Sequence, residues 1–241
     1  MKKLNELDLS SKKVIIFDVD GTLIDSIGIW NKTDGMIIEK YGHVIVDEFI
    51  IQKDRDLFLS SNNDKDIYVA YASYLIEKYN MNITVDEFIQ ERYGNVQYYF
   101  INEVDFKESV DEVIKKFKSM GYKLAIATTT TKNQIDIYSN KNKNMLNKLN
   151  ISEVFDYIVT KEDIKYKKPN PEVYEKIINY FNVLPSECLV FEDSLHGVIS
   201  AISAGIEVVN VKDKYSLDKS KEIEEITNYK IDSFKEILEL F

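Results

Sequence analysis

Apolar and polar positions along this chain follow two periods, and the switches between them predict its architecture. Short β-branched apolar runs recur at about 14–17, 123–127, 155–159, 188–191 and 206–211. Runs that are apolar at consecutive rather than alternate positions read as strands buried on both faces. Between them apolar residues recur every three or four positions, the period of a helix with one buried side. Val110, Val113, Ile114 and Phe117 make such a stripe, with Ser109 and Glu112 spaced as a capping box and Gly121 as the stop. Val173, Ile177, Ile178 and Phe181 make another, entered through Asn170 as N-cap and Pro171 at the first helical position. Strands alternating with helices predict an α/β fold, a Rossmann-like three-layer core whose parallel sheet has helices on both faces.

The stretch 26–102 breaks this alternation. It holds no strand-like run and reads as several helices rich in aromatics, among them Trp30, Tyr68, Tyr71, Phe88, Tyr98 and Phe100. Aromatics at helical spacing are expected to form the core of a bundle rather than a cofactor site. The pattern predicts an all-helical cap over 26–102, inserted directly after the first strand, and a catalytic core made of 1–25 and 103–241. The Asn/Lys-rich segment 140–150 reads as a polar loop or an exposed helix.

Composition narrows the function classes. Across 241 residues, 44% are hydrophobic and 30% charged, the balance of a globular chain rather than a disordered one. No apolar run approaches the roughly 18 residues of a membrane helix. The start, Met1 to Asp8, lacks the apolar stretch of a secretory signal. Cys188 is the only cysteine and lies in an apolar run, so a buried, inert thiol is expected. These features predict a cytoplasmic protein, expected to be a monomer. The net charge of −10 argues against a nucleic-acid partner. It would also disfavour an anionic substrate unless a bound cation neutralised the site locally.

Four segments carry candidate chemistry. In Val14-Ile15-Ile16-Phe17-Asp18-Val19-Asp20-Gly21, a buried strand ends in two carboxylates two residues apart. The carboxyl end of a parallel strand is where open α/β sheets place ligands, although Asp and Gly are also ordinary turn residues. An ionised Asp is a competent nucleophile toward phosphorus, and a second Asp can serve as acid and then base. The run Lys123 to Ala127 ends in Thr128, Thr129 and Thr130, whose hydroxyls and amides suit phosphoryl oxygens, although threonine suits strands and turns in any case. Lys168 precedes Pro169, which restricts it to extended backbone where it could neutralise a phosphate, whereas Lys165 and Lys167 read as solvated charges. Cys188 to Phe191 ends in Glu192 and Asp193, oxygen ligands suited to Mg²⁺. His43 and His196 match no metal-ligand cluster and read as surface or packing residues.

In this order the four segments resemble the motifs of the haloacid dehalogenase superfamily of phosphotransferases. Phe17 to Leu23 resembles the first, Ala127-Thr128 the second, Lys168-Pro169 the third, and Phe191 to Ser194 with Gly197 and Ala204-Gly205 the fourth. The helical insert is similar to the C1-type cap of the branch containing β-phosphoglucomutases and phosphatases. The resemblance implies Mg²⁺-dependent phosphoryl transfer from a small phosphorylated metabolite. Asp18 would be the nucleophile and Asp20 the general acid/base. Thr128 would hold a phosphoryl oxygen, helped by the amides of Val19, Asp20 and Thr129, and Lys168 would balance charge. The metal would take the Asp18 carboxylate, the Asp20 carbonyl and Asp193, with Glu192 as a further ligand or a support. Asp20 favours phosphoryl chemistry over dehalogenation, because dehalogenases of this superfamily lack the second Asp. Trp30 stands where β-phosphoglucomutases carry a cap histidine, and Lys53-Asp54-Arg55 is a poor counterpart of their cap phosphate-binding segment. These departures imply a phosphatase, with a sugar-phosphate mutase as the alternative. A phosphorylatable receiver-like domain is disfavoured, since such domains place the phosphoacceptor after a later strand.

Overall fold

A computed structural model describes residues 3–62 and 66–241; the first two residues, and the 63–65 part of the expected helical stretch, lie outside the described residues. The chain divides into two compact units, Met1–Asp25 with Val104–Phe241, and Ser26–Glu103.

The first unit is built on six parallel strands: β1 (Val14–Phe17), β2 (Lys123–Ala127), β3 (Tyr157–Val159), β4 (Cys188–Glu192), β5 (Glu207–Val211) and β6 (Tyr229–Ile231). Their order across the sheet is β3-β2-β1-β4-β5-β6. Phe17 stands opposite Ile126 of β2 and Phe191 of β4, so the two neighbours of β1 each end one residue beyond it. Parallel strands need crossovers, and the helices α5 (Val110–Ser119), α6 (Lys132–Asn140), α7 (Lys143–Leu146), α8 (Ile151–Val154), α9 (Glu172–Phe181), α10 (Leu195–Ser203), α11 (Ser220–Ile226) and α12 (Lys235–Leu238) fall in the connections and at the end of the chain. Alternate residues of each strand serve opposite layers. Val14, Ile16, Val190 and Val208 pack with Val173, Tyr174 and Ile177 of α9, Val198 and Ala201 of α10, and Ile223 of α11. On the other set of positions Phe17 stacks on Phe191 with centroids 5.0 Å apart, and Phe117 of α5 and Phe234 lie beside them. The expected three-layer α/β core is present.

Local expectations fare unevenly. The capping box read at Ser109 and Glu112 does not form. Val110 N donates to Lys107 O, a turn that leaves Ser109 left-handed at φ 63, and its side chain makes no capping bond. N-capping needs an extended backbone there. Helix α9 starts one residue later than expected, with Pro171 as N-cap, yet Asn170 Oδ1 still accepts from Glu172 N at 3.0 Å. The third strand is shorter than read, because Phe155 ends α8 rather than opening β3. Strand β6 went unread, being three residues long with Lys230 at its centre. The segment 140–150 is largely exposed around the short helix α7, as expected, but Asn142 within it is fully buried, its Nδ2 donating to Val104 O and its Oδ1 accepting from Met145 N.

The second unit is helical throughout: α1 (Ile27–Gly42), α2 (Glu48–Ser61), α3 (Ile67–Lys78) and α4 (Val85–Asn102). Ile37, Ile38, Tyr71, Leu75 and Phe88 form its core. The aromatics divide between core and surface, Tyr68 and Tyr98 being exposed. A buried ion pair crosses the bundle. Arg92 donates through Nε and Nη2 to the two oxygens of Asp34, and Arg55 Nη1 lies 4.0 Å from the same carboxylate. Among the described residues no helix is long and apolar enough to cross a membrane.

Candidate active site

Strand order reverses at β1: β2 and β3 lie to one side, β4 to β6 to the other. At such a reversal the connections leave in opposite directions and open a crevice beyond the carboxyl ends, the binding position of open α/β sheets. Asp18 follows β1, Thr128 follows β2, Glu192 and Asp193 close β4, and Lys168 lies between β3 and α9.

Gly21 makes the first turn possible. Its φ of 91 is a conformation that side-chain-bearing residues avoid. The chain doubles back, Gly21 N donating to Ile24 O and Ile24 N to Val19 O. This returns buried Thr22, whose hydroxyl donates to Asp193 Oδ1 at 2.7 Å, so the first and fourth strand ends are bolted together.

Lys168 is the hub. Its ammonium has three protons and three acceptors: Asp18 Oδ1 at 2.7 Å, Glu192 Oε1 at 2.7 Å and Ala127 O at 3.0 Å. The ring of Tyr174 lies 5.3 Å from the Nζ atom. Burial works against the charge on Lys168, but Asp18 and Glu192 prevail and hold its pKa well above the ordinary lysine value. Burial likewise pushes the Tyr174 phenol well upward.

Asp18, Glu192 and Asp193 each present a carboxylate oxygen, all within 4.8 Å of one another, and all three residues are buried. Burial drives Asp18 up to about 7, against the downward pull of Lys168 and with Glu192 adding to the rise. Burial, then the charges of Glu192 and Asp18, also lift Asp193 well above the usual carboxylate range. Three buried acids face one buried ammonium, so full ionisation would leave two negative charges without a counter-charge inside the cluster, and this crowding is part of what raises Asp18 and Asp193. Buried charges persist when paired or when they coordinate a metal. Crowded acids that a cation would ionise, offering hard oxygen donors within 4.8 Å of one another, fit a divalent cation such as Mg²⁺.

The acids are not equivalent. Glu192 Oε2 accepts from the backbone amides of Asp193 and Ser194 at 2.7 and 3.0 Å, while Oε1 accepts from Lys168. It is fixed from several sides and orients both Lys168 and the turn that carries Asp193. Helix α10 leaves room for it: a Cβ on Gly197 would lie 1.5 Å from Glu192 Oε1.

The remaining expected residues sit as follows. Thr128 is buried, and its amide extends the ladder to Val159 O while its Oγ1 accepts from Thr130 N at 3.1 Å. Thr129 is half-buried beside it. Asp20 accepts from the Thr130 hydroxyl at 2.6 Å on Oδ2 and from the Tyr138 hydroxyl at 2.8 Å on Oδ1. Trp30 belongs to the helical unit, edge-on to Tyr93 and Phe100 with the Arg92 guanidinium 4.6 Å above its ring. Lys165, Lys167, His43 and His196 are exposed, as expected. Cys188 is buried, and burial raises its thiol to about 11. Sequence reasoning gave Thr22 and Tyr138 no role, and read Thr130 only as a donor to phosphoryl oxygens rather than to Asp20. Thr22 lay inside a motif without a role and Thr130 inside a run of four threonines, whereas nothing in the sequence marks Tyr138 among sixteen tyrosines.

Comparison with known proteins agrees with this geometry. The family described as haloacid dehalogenase-like hydrolase matches residues 15–211. Protein CbbY of Rhodobacter capsulatus is 28% identical, over 85% of this chain and 87% of its own length. A phosphorylated carbohydrates phosphatase of Thermotoga maritima is 27% identical, over 81% and 82%. The crystal structure of a provisionally assigned β-phosphoglucomutase from Thermotoga maritima superposes with a TM-score of 0.72 at 25% identity, covering 95% of this chain and 97% of that one.

Proposed function

The chain belongs to the haloacid dehalogenase-like hydrolases, enzymes acting on phosphate esters, and from that premise we propose a Mg²⁺-dependent phosphatase of a small phosphorylated metabolite. The observation that carries this reading is the buried cluster of Asp18, Lys168, Glu192 and Asp193 at the strand-order reversal, with Asp20 two residues beyond Asp18.

Asp18 is the nucleophile. One carboxylate oxygen attacks phosphorus, the bond from phosphorus to the ester oxygen breaks, and the departing oxygen takes a proton from Asp20. Water then attacks the aspartyl-phosphate and gives its proton to Asp20. The bond from phosphorus to Asp18 breaks, its electron pair returns to the carboxylate, and phosphate leaves. Lys168 holds Asp18 Oδ1 so that the attacking carboxylate keeps one orientation. Thr128 and the Thr129 amide hold phosphoryl oxygens. Asp18, Asp193 and the Asp20 carbonyl would hold Mg²⁺, which supplies charge neutralisation for the incoming phosphate. Glu192, committed to Lys168 and two amides, supports these ligands. The helical unit serves as the cap that selects the substrate. The carbohydrate phosphatase among the relatives supports a phosphorylated sugar as the substrate class.

A mutase is the second reading, favoured by the superposed β-phosphoglucomutase structure. Both readings meet in one experiment: phosphate release across phosphorylated metabolites with Mg²⁺, run beside a coupled β-glucose 1-phosphate isomerisation assay. Release without isomerisation is expected; isomerisation without net release would overturn the phosphatase. Asp18→Asn should abolish turnover of every phosphate ester while the circular dichroism spectrum stays unchanged. Retained turnover would remove Asp18 from the nucleophile's role.

A further inference from the structure

Two hydroxyls grip Asp20, one on each carboxylate oxygen. Thr130 reaches it from the turn after β2. Tyr138 reaches it from α6, whose N-cap Thr131 accepts at Oγ1 from Gln134 N at 3.2 Å. The far end of α6 is anchored as well: Lys141 N and Asn142 N both donate to Ile137 O, and the buried Asn142 side chain binds Val104 O. Tyr138 is fully buried between these anchors, so its phenol oxygen has little freedom. A phenylalanine would fill the same volume without the hydroxyl. Through the Asp20 contact this tyrosine reaches the strand-end cluster.

We propose that Tyr138 is a positioning residue for Asp20, aiming its carboxyl at the ester oxygen; the proposal rests on the phosphatase reading above. Hydroxyls are suited to this, because each donates to a carboxylate and can turn to accept from a carboxylic acid. The grip therefore persists while Asp20 gives up and regains its proton. Misplacing an acid by about an ångström can cost large factors in rate. That cost appears only where the leaving oxygen needs a proton in the transition state. Tyr138 thus tunes the site toward esters of poor leaving groups, the alkoxides of sugars and other alcohols.

The test compares phenyl phosphate with p-nitrophenyl phosphate, near-isosteric esters whose leaving groups differ in their need for a proton. The quantity is kcat/KM with Mg²⁺, which reports phosphoryl transfer to Asp18 and not the later hydrolysis. In Tyr138→Phe the phenyl-to-nitrophenyl ratio of kcat/KM should fall by about tenfold, part of the usual acid–base contribution. Thr130→Val, which removes the other hydroxyl from a half-buried turn, should lower the ratio in the same direction and carries the test if Tyr138→Phe does not fold. A ratio unchanged in the folded variants, even with lower overall activity, would overturn the positioning role and leave the phosphatase standing. A wild-type protein that releases phosphate from neither ester nor any phosphorylated metabolite would overturn the phosphatase reading and this proposal with it.

Discussion

Glu192 is held by an ammonium and two backbone amides, and it can sit there because the residue facing it has no side chain. Gly197 Cα occupies the first turn of α10, its amide donating to the capping Ser194 hydroxyl at 3.1 Å. A methyl group at 1.5 Å from Glu192 Oε1 cannot be absorbed by a small shift. Either the carboxylate leaves and Lys168 loses an acceptor, or α10 moves away from β4. Overpacking of this kind costs about 1–3 kcal/mol. Gly197→Ala should therefore lose that much in denaturant unfolding and most of its phosphate release, because Lys168 and Asp193 are both set by Glu192. Full activity and wild-type stability together would show that Glu192 is not the support described. The acids and the lysine were legible in the sequence because each ends a strand or precedes a proline. Gly197 was legible as part of a resemblance but not as the space for Glu192, because the carboxylate it accommodates comes from another element.

At the scale of elements, β3 is a three-residue edge strand, and such a strand needs help to hold its register. Asp156, just before it, accepts from Leu124 N of β2 at 2.9 Å and pairs with Lys118 of α5 at 2.8 Å. One carboxylate thus fastens strand to strand and sheet to helix. Burial opposes its charge, but the Leu124 amide and then Lys118 outweigh this and hold its pKa below the ordinary 3.8. A group whose folded pKa is depressed stabilises above its unfolded pKa and loses that contribution as pH falls through the folded value. Asp156→Asn keeps an acceptor for Leu124 but removes the charge. It should cost about 1 kcal/mol at neutral pH, the margin between charged and neutral hydrogen bonds. Below the ordinary carboxylate value the two proteins should converge, as read from urea unfolding at a series of pH values. A difference that stays constant from neutral to acid pH would mean that the charge contributes nothing. The central strands were legible because burial on both faces forces continuous apolar runs. Strand β6 and the start of β3 were not, because a short edge strand can keep Lys230 or begin after a helical turn at Phe155. Ser109 shows the other failure: capping chemistry was read from residue types, while a long-range constraint, Lys107 N donating to Leu23 O, fixes the turn before it.

For the whole molecule, the crowded buried acids at the strand ends link metal binding to folding. A cation that binds the folded cluster and not the unfolded chain stabilises by about 2.7 kcal/mol when its concentration is a hundred times its dissociation constant. In a unit of this size each kcal/mol moves the melting temperature by roughly 2–4 °C. Saturating Mg²⁺ should therefore raise melting by about 5–10 °C relative to chelator. The three clustered carboxylates all lie in the α/β unit and none in Ser26–Glu103. The shift should thus appear in amide hydrogen exchange of β1 and β4, while α1 to α4 gain protection only as far as their opening depends on the α/β unit. Asp193→Asn separates the cluster from any general effect of salt, since Asp193 touches Thr22 and Ser216 but carries no contact to Lys168 among the described residues. In that variant the Mg²⁺ shift should shrink to the level given by Na⁺ of equal ionic strength. A full shift in Asp193→Asn, or an equal gain in protection across α1 to α4 at low denaturant, would place the cation somewhere other than at the ends of β1 and β4.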